Sequence, residues 1–96
     1  MFGINEVVYE RLLQYCREHL NINKVILFGS RAKNMYNSHS DIDLCIDAED
    51  DLRASIVLDL QELSGVYSCD ILFEDRLSGD IKNQIQRDGI VIYSKA

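Results

Sequence analysis

The stretch KVILFGSRAKNMYNSHSDIDLCI, residues 24–46, decides how the chain folds. Lys24-Val-Ile-Leu-Phe28 is a short apolar run rich in β-formers and stopped by Gly29, which reads as a buried strand. Ser30 to Met35 can form a short helix with Gly29-Ser30 at its N-terminus, and Asn37 to Ser40 is polar loop. Asp41-Ile-Asp-Leu-Cys-Ile46 then alternates, with Ile42, Leu44 and Ile46 on one face and Asp41, Asp43 and Cys45 on the other. Suppose these two strands are antiparallel neighbours. The end of the first, Gly29-Ser30, then lies beside the start of the second, Asp41 and Asp43.

Upstream, apolar residues fall at Val8, Leu12, Cys16 and Leu20, with Leu13 beside them, which makes one helical stripe over Asn5 to Leu20. Downstream, Leu52, Ile56, Leu60 and Leu63 give a second stripe, predicting a helix from Asp51 to Ser64. Asp50 and Asp51 suit its start, where acidic side chains complement the dipole, and Gly65 suits its end. Val66 to Phe73 reads as a third strand carrying Asp70 near its start. Leu77, Ile81 and Ile85 mark another helix ending near Gly89, and Ile90-Val-Ile-Tyr93 is a fourth strand. The order α-β-(α)-β-α-β-α-β predicts an α/β (α+β) domain, a mixed four-stranded sheet packed with helices. The helix at 51–64 serves as the crossover to a parallel third strand. That connection brings Asp70 beside the Asp41–Asp43 pair.

Asp is depleted in strands, so three of them converging on a glycine turn call for a chemical reason. Asp41 and Asp43, two residues apart, leave the same face. Mg²⁺ takes hard oxygen ligands and often uses one or two carboxylates plus substrate phosphates. Two such ions clamp the attacking and leaving oxygens of an in-line displacement. Gly29 has no side chain to keep the backbone from a triphosphate. Ser30 adds a hydroxyl, and a helix start there aims backbone N–H groups at an anion. Arg31 and Lys33 are candidates for further phosphate contacts.

Gly29-Ser30, ten intervening residues and Asp41-Ile-Asp43 resemble the Gly-Ser-x10-Asp-x-Asp signature of the DNA polymerase β-like nucleotidyltransferase superfamily. The fuller string, Phe28-Gly-Ser-Arg-Ala32 through Ser40-Asp-Ile-Asp-Leu44, is similar to its smallest branch, the minimal nucleotidyltransferase (MNT) proteins. The resemblance implies the polymerase β-like nucleotidyltransferase fold. It also implies catalytic metal ligation by Asp41 and Asp43, with Asp70 as third carboxylate, and nucleotide binding by Gly29 and Ser30, with Arg31 and Lys33 as additional candidates. The cofactor would be Mg²⁺, two ions, and the substrate ATP. Proteins of this branch pair with a small helical HEPN RNase toxin and act as its antitoxin by moving AMP to a tyrosine hydroxyl. That makes a cognate HEPN protein the expected partner and acceptor. One departure stands out: the family often continues Gly-Ser-x-Ala-Arg-Gly, where this chain has Ala32-Lys33-Asn34. Lys keeps the charge without the planar fork of Arg, and Asn tolerates left-handed backbone better than most residues.

The remaining features narrow the choice. With 96 residues, a single domain over 1–96 is expected. Larger members of the superfamily carry extra domains that help grip the base and the acceptor, so for a chain of this length another protein is expected to supply the missing surface or to be itself the acceptor. A net charge of -6 argues against a broad nucleic-acid footprint but not against a nucleotide held through metal. No run nears the roughly 18 apolar residues of a membrane span, and the N-terminus lacks a signal-peptide pattern. Cys16, Cys45 and Cys69 are far apart and sit in apolar contexts, as buried free thiols in the cytoplasm do. His19 and His39 are isolated, and the chain has no P-loop string. Two other readings remain: a weakly catalytic module that silences a partner by occlusion, and a transferase for small molecules such as antibiotics.

Overall fold

The computed structural model describes residues 1–49 and 51–95. Asp50, expected near a helix start, lies outside the described residues. The elements run α1 (Glu6–Glu18), β1 (Ile22–Phe28), α2 (Gly29–Ala32), β2 (Ile42–Ala48), α3 (Arg53–Leu63), β3 (Cys69–Phe73), a 3₁₀ turn (Glu74–Arg76), α4 (Gly79–Asp88) and β4 (Ile90–Ser94). The strands form one mixed sheet in the order β3-β2-β1-β4. β1 pairs antiparallel with β2 and β4, and β2 pairs parallel with β3. The α3 crossover thus delivers the expected parallel third strand.

Helices cover both faces. Leu12 and Cys16 of α1 and Ile56 and Leu60 of α3 pack with Ile42, Leu44 and Ile46 in the main core. On the other face, Ile85 of α4 packs with Phe28 and Cys45. A register shift between Ile22 and Lys24 lets Ile22, Val25 and Leu27 all reach the main core, which strict alternation would forbid. Because α4 lies over β1, the strip of sheet at β2 and β3 on that face holds Asp43 and Asp70, next to each other in register.

Several boundaries differ from the sequence reading. Asn5 caps α1, its Oδ1 accepting from the Val7 and Val8 amides at 2.9 and 3.3 Å. The helix stops at Glu18, so Leu20 falls outside it and is exposed, while Tyr15 takes the buried place. α2 has only four residues, shorter than the run to Met35, and the chain leaves it through Asn34 at φ 57. α3 begins at Arg53 after Leu52, whose φ is 67, and has no acidic residue in its first turn. Gly65, at φ 63, follows the end of α3 as expected. Val66 is exposed and β3 starts only at Cys69. Cys16, Cys45 and Cys69 are buried free thiols. Among the described residues, no helix is long and apolar enough to cross a membrane.

Candidate active site

β1 ends at Phe28, which pairs with Asp43, and Asp43 pairs with Asp70 across the parallel ladder. The glycine turn, the second strand and the third strand therefore meet at one end of the sheet. Asp41 stands just before β2, exposed, as is Asp70, whereas Asp43 between them is half-buried. Gly29 has φ 74, and a Cβ built on it would fall onto Asp43 Oδ2. Glycine is required here twice, by the backbone angle and by the carboxylate against it.

The electrostatics record how close the acids are. Burial first, then the charges of Asp70 and Asp41 and a hydrogen-bonding approach from Asp70, push the Asp43 carboxyl up to about 6, with Arg31 opposing. Burial pushes the Cys69 thiol up as well, and the charges of Asp70, Asp43 and Asp41 add to it. Negative charge is concentrated at this spot, and a divalent cation would relieve it.

No group of three His, Cys, Asp or Glu side chains among the described residues forms a ready-made metal cage. The donor set nonetheless suits Mg²⁺: hard carboxylate oxygens, two of them exposed, which leave positions for water and phosphate oxygens. Asp41, Asp43 and Asp70 are the residues that could hold it. Ser30 lies at the half-exposed start of α2. Lys33 is exposed at the end of α2, close enough to Asp88 to help hold that carboxyl below its usual range, after the dominant pairing with Arg87.

Arg31 is turned inward. It is only 1% exposed, donates from Nη1 to the Phe2 carbonyl at 3.0 Å and from Nη2 to the Ser40 carbonyl at 2.7 Å, and lies over the rings of Tyr36 and Tyr67. Sequence reasoning missed this frame of Phe2, Tyr36 and Tyr67. Only the aromatic residues flanking the two Asp-bearing strands hinted at it. His19 is structural too: its ring stacks on Tyr15 with centroids 3.9 Å apart, and Nδ1 lies 2.8 Å from the Tyr15 carbonyl. His39 is exposed in the loop before β2.

A glycine turn facing an acidic pair across antiparallel strands, with a third acid one crossover away, is the layout of a nucleotidyltransferase. Residues 10–96 match the family model for polymerase beta nucleotidyltransferases, and the chain belongs to that family. No curated protein matches the chain. Among solved structures, a toxin–antitoxin complex with AMP-PNP superposes with a TM-score of 0.69 at 20% identity, covering 96% of this chain and 75% of that one. An MNT antitoxin bound to a tri-AMPylated HEPN toxin from Shewanella oneidensis gives 0.66 at 19% identity, covering 94% and 72%. A chain described as a minimal nucleotidyltransferase gives 0.65 at 30% identity, covering 85% and 86%.

Proposed function

We propose that the protein is a Mg²⁺-dependent protein adenylyltransferase, the antitoxin of a toxin–antitoxin pair, which transfers AMP from ATP to a tyrosine of a cognate HEPN toxin in the cytoplasm. The observation that carries the reading is the meeting of Asp41, Asp43 and Asp70 beside Gly29. Asp41 and Asp43 would hold the divalent ions. Asp70 would be the third carboxylate of the metal site and would take the hydroxyl proton. Bound Mg²⁺ would supply charge neutralisation along the phosphates and acidify the acceptor hydroxyl. Gly29 would let the backbone approach the phosphates, Ser30 would add its hydroxyl, and the exposed Lys33 would turn toward them. In the transfer, the tyrosine oxygen forms a bond to the α-phosphorus as the bond from that phosphorus to the β-bridging oxygen breaks. Pyrophosphate leaves, and the hydroxyl proton passes to Asp70 or to water.

The exposure of Asp41 and Asp70 favours an acceptor presented on another protein's surface over a small molecule enclosed in a pocket. Incubation with Mg²⁺, α-labelled ATP and the product of the neighbouring gene should move label to that protein, and the proposed reading requires it to be a HEPN protein. Asp41→Asn and Asp43→Asn should each reduce the rate at least about 100-fold, the scale expected when positioned electrostatic stabilisation is lost. Silencing of the partner by the double Asn variant, with no added mass, would replace transfer with occlusion. Labelling of small hydroxyl acceptors in the absence of any partner would point to a small-molecule transferase.

A further inference from the structure

We infer that Arg31 is a positioning residue, a buried guanidinium that sets the spacing of the three carboxylates by tying together the segments that lead into them. Arg31 belongs to α2, directly after the glycine turn. Its Nη2 donates to the carbonyl of Ser40, the residue before Asp41. Its face lies 5.1 Å from the centroid of Tyr67, three residues before Asp70, and 5.4 Å from that of Tyr36 in the loop between α2 and β2. Nη1 reaches the Phe2 carbonyl, and the Tyr67 hydroxyl in turn accepts from the Asn5 amide at 2.9 Å, at the cap of α1. Gly3 completes the enclosure, because a Cβ there would collide with the Tyr36 ring. Further along, the Ile42 amide donates to the Ser68 carbonyl at 2.8 Å, locking the entry of β2 to the entry of β3.

One side chain thus touches the segments preceding Asp41 and Asp70 while rooted beside Gly29. Burying a guanidinium is expensive unless it is hydrogen-bonded and compensated. Here two backbone carbonyls take Nη1 and Nη2 and two aromatic faces cover the plane; Nε is buried without a hydrogen-bond partner, and the charge also opposes the repulsion at Asp43. Lys cannot replace it: an ammonium is a compact point charge, whereas the planar fork reaches two carbonyls in different directions. A positioning role explains why this cation is enclosed, whereas a phosphate contact would have to be open to the nucleotide.

The kinetic part of the test rests on the proposed transfer chemistry; the spectral part does not. Arg31→Lys and Tyr67→Leu should each lower kcat for AMP transfer about tenfold or more, the scale of small misplacements of reacting groups, with KM for ATP within about threefold. In metal-free, nucleotide-free protein, amide ¹H–¹⁵N spectra of both variants should show shifts at Ser40, Asp41 and Asp70. Tyr67→Phe keeps the ring and should leave the Asp41 and Asp70 amides in place. The inference is overturned if Arg31→Lys raises KM for ATP at unchanged kcat while Tyr67→Leu is inert. It is equally overturned if the Asp41 and Asp70 amides do not move in either Arg31→Lys or Tyr67→Leu. Should wild-type protein transfer no AMP at all, the adenylyltransferase reading fails, and the spectra alone decide the role of Arg31.

Discussion

Asp43 is the residue at which stability and the proposed chemistry pull in opposite directions. Its carboxyl sits against Gly29 and beside Asp70, and the fold holds its pKa near about 6 against an ordinary 3.8. An acid whose folded-state pKa is raised is harmless while protonated in both states, below about pH 4. As pH rises between 3.8 and about 6, the unfolded chain ionises first and the fold loses stability; above that window the penalty is constant. Asp43→Asn removes the charge and should therefore be more stable than wild type at pH 7 in the presence of a chelator. The advantage should shrink to nothing as pH falls toward 4. Partial solvent exposure screens the effect, so a few degrees in Tm is the expected size. Thermal melts of both proteins across pH 4 to 8 measure it, and a variant less stable than wild type at pH 7 would contradict the crowding of Asp43 by its acidic neighbours. The convergence of Asp41, Asp43 and Asp70 on Gly29 is legible in the sequence because spacing and the helical crossover together bring those positions to one end of the sheet. The inward turn of Arg31 is not, since it depends on Tyr36 and Tyr67, which only the folded chain brings to it.

The elements show where pattern is a good guide and where packing overrides it. Ile56 and Leu60 were correctly placed on the buried stripe of α3, because two turns of i, i+4 spacing leave little choice of face. Leu52 and Leu20, extrapolated from the same stripes, lie beyond the helix ends and are exposed, because periodicity does not say where a helix stops. Tyr15 was overlooked: its hydroxyl hides a residue that buries its ring and donates to Asp59 Oδ2 at 2.7 Å. These distinctions have energetic consequences. Leu60→Ala should cost about 2–5 kcal/mol, the range for emptying a packed core site. Leu58→Ala and Leu20→Ser, at positions 66% and 75% exposed, should change stability by no more than about 0.5 kcal/mol. Urea titrations of the three variants test this. A Leu20→Ser loss comparable to that of Leu60→Ala would restore the longer first helix.

At the scale of the whole molecule, the candidate site forms only because distant parts of the chain close on it. The crossover rule made the β2–β3 neighbourhood legible, since a helix between two strands returns the chain in parallel. The placement of β4 against β1 was not legible, because nothing in Ile90 to Tyr93 distinguishes one free sheet edge from the other. The resulting order leaves β3, with Asp70, as an edge strand. The three acids thus gather at a corner of the sheet that pays repulsion in the free protein, and a cation bridged to a triphosphate should bind the folded state and not the unfolded one. Such linkage stabilises by RT ln(1 + [L]/Kd), about 2.7 kcal/mol at a hundredfold excess over Kd. In a domain of this size each kcal/mol shifts Tm by roughly 4–8 °C, so saturating ATP with Mg²⁺ should raise Tm by about 10 °C or more. ATP with chelator should do little, since the acids then repel the phosphates. The same addition should leave the Asp41→Asn, Asp43→Asn double variant unmoved. Equal stabilisation by ATP with and without Mg²⁺ would mean that the nucleotide is held elsewhere on the molecule, away from the acidic corner.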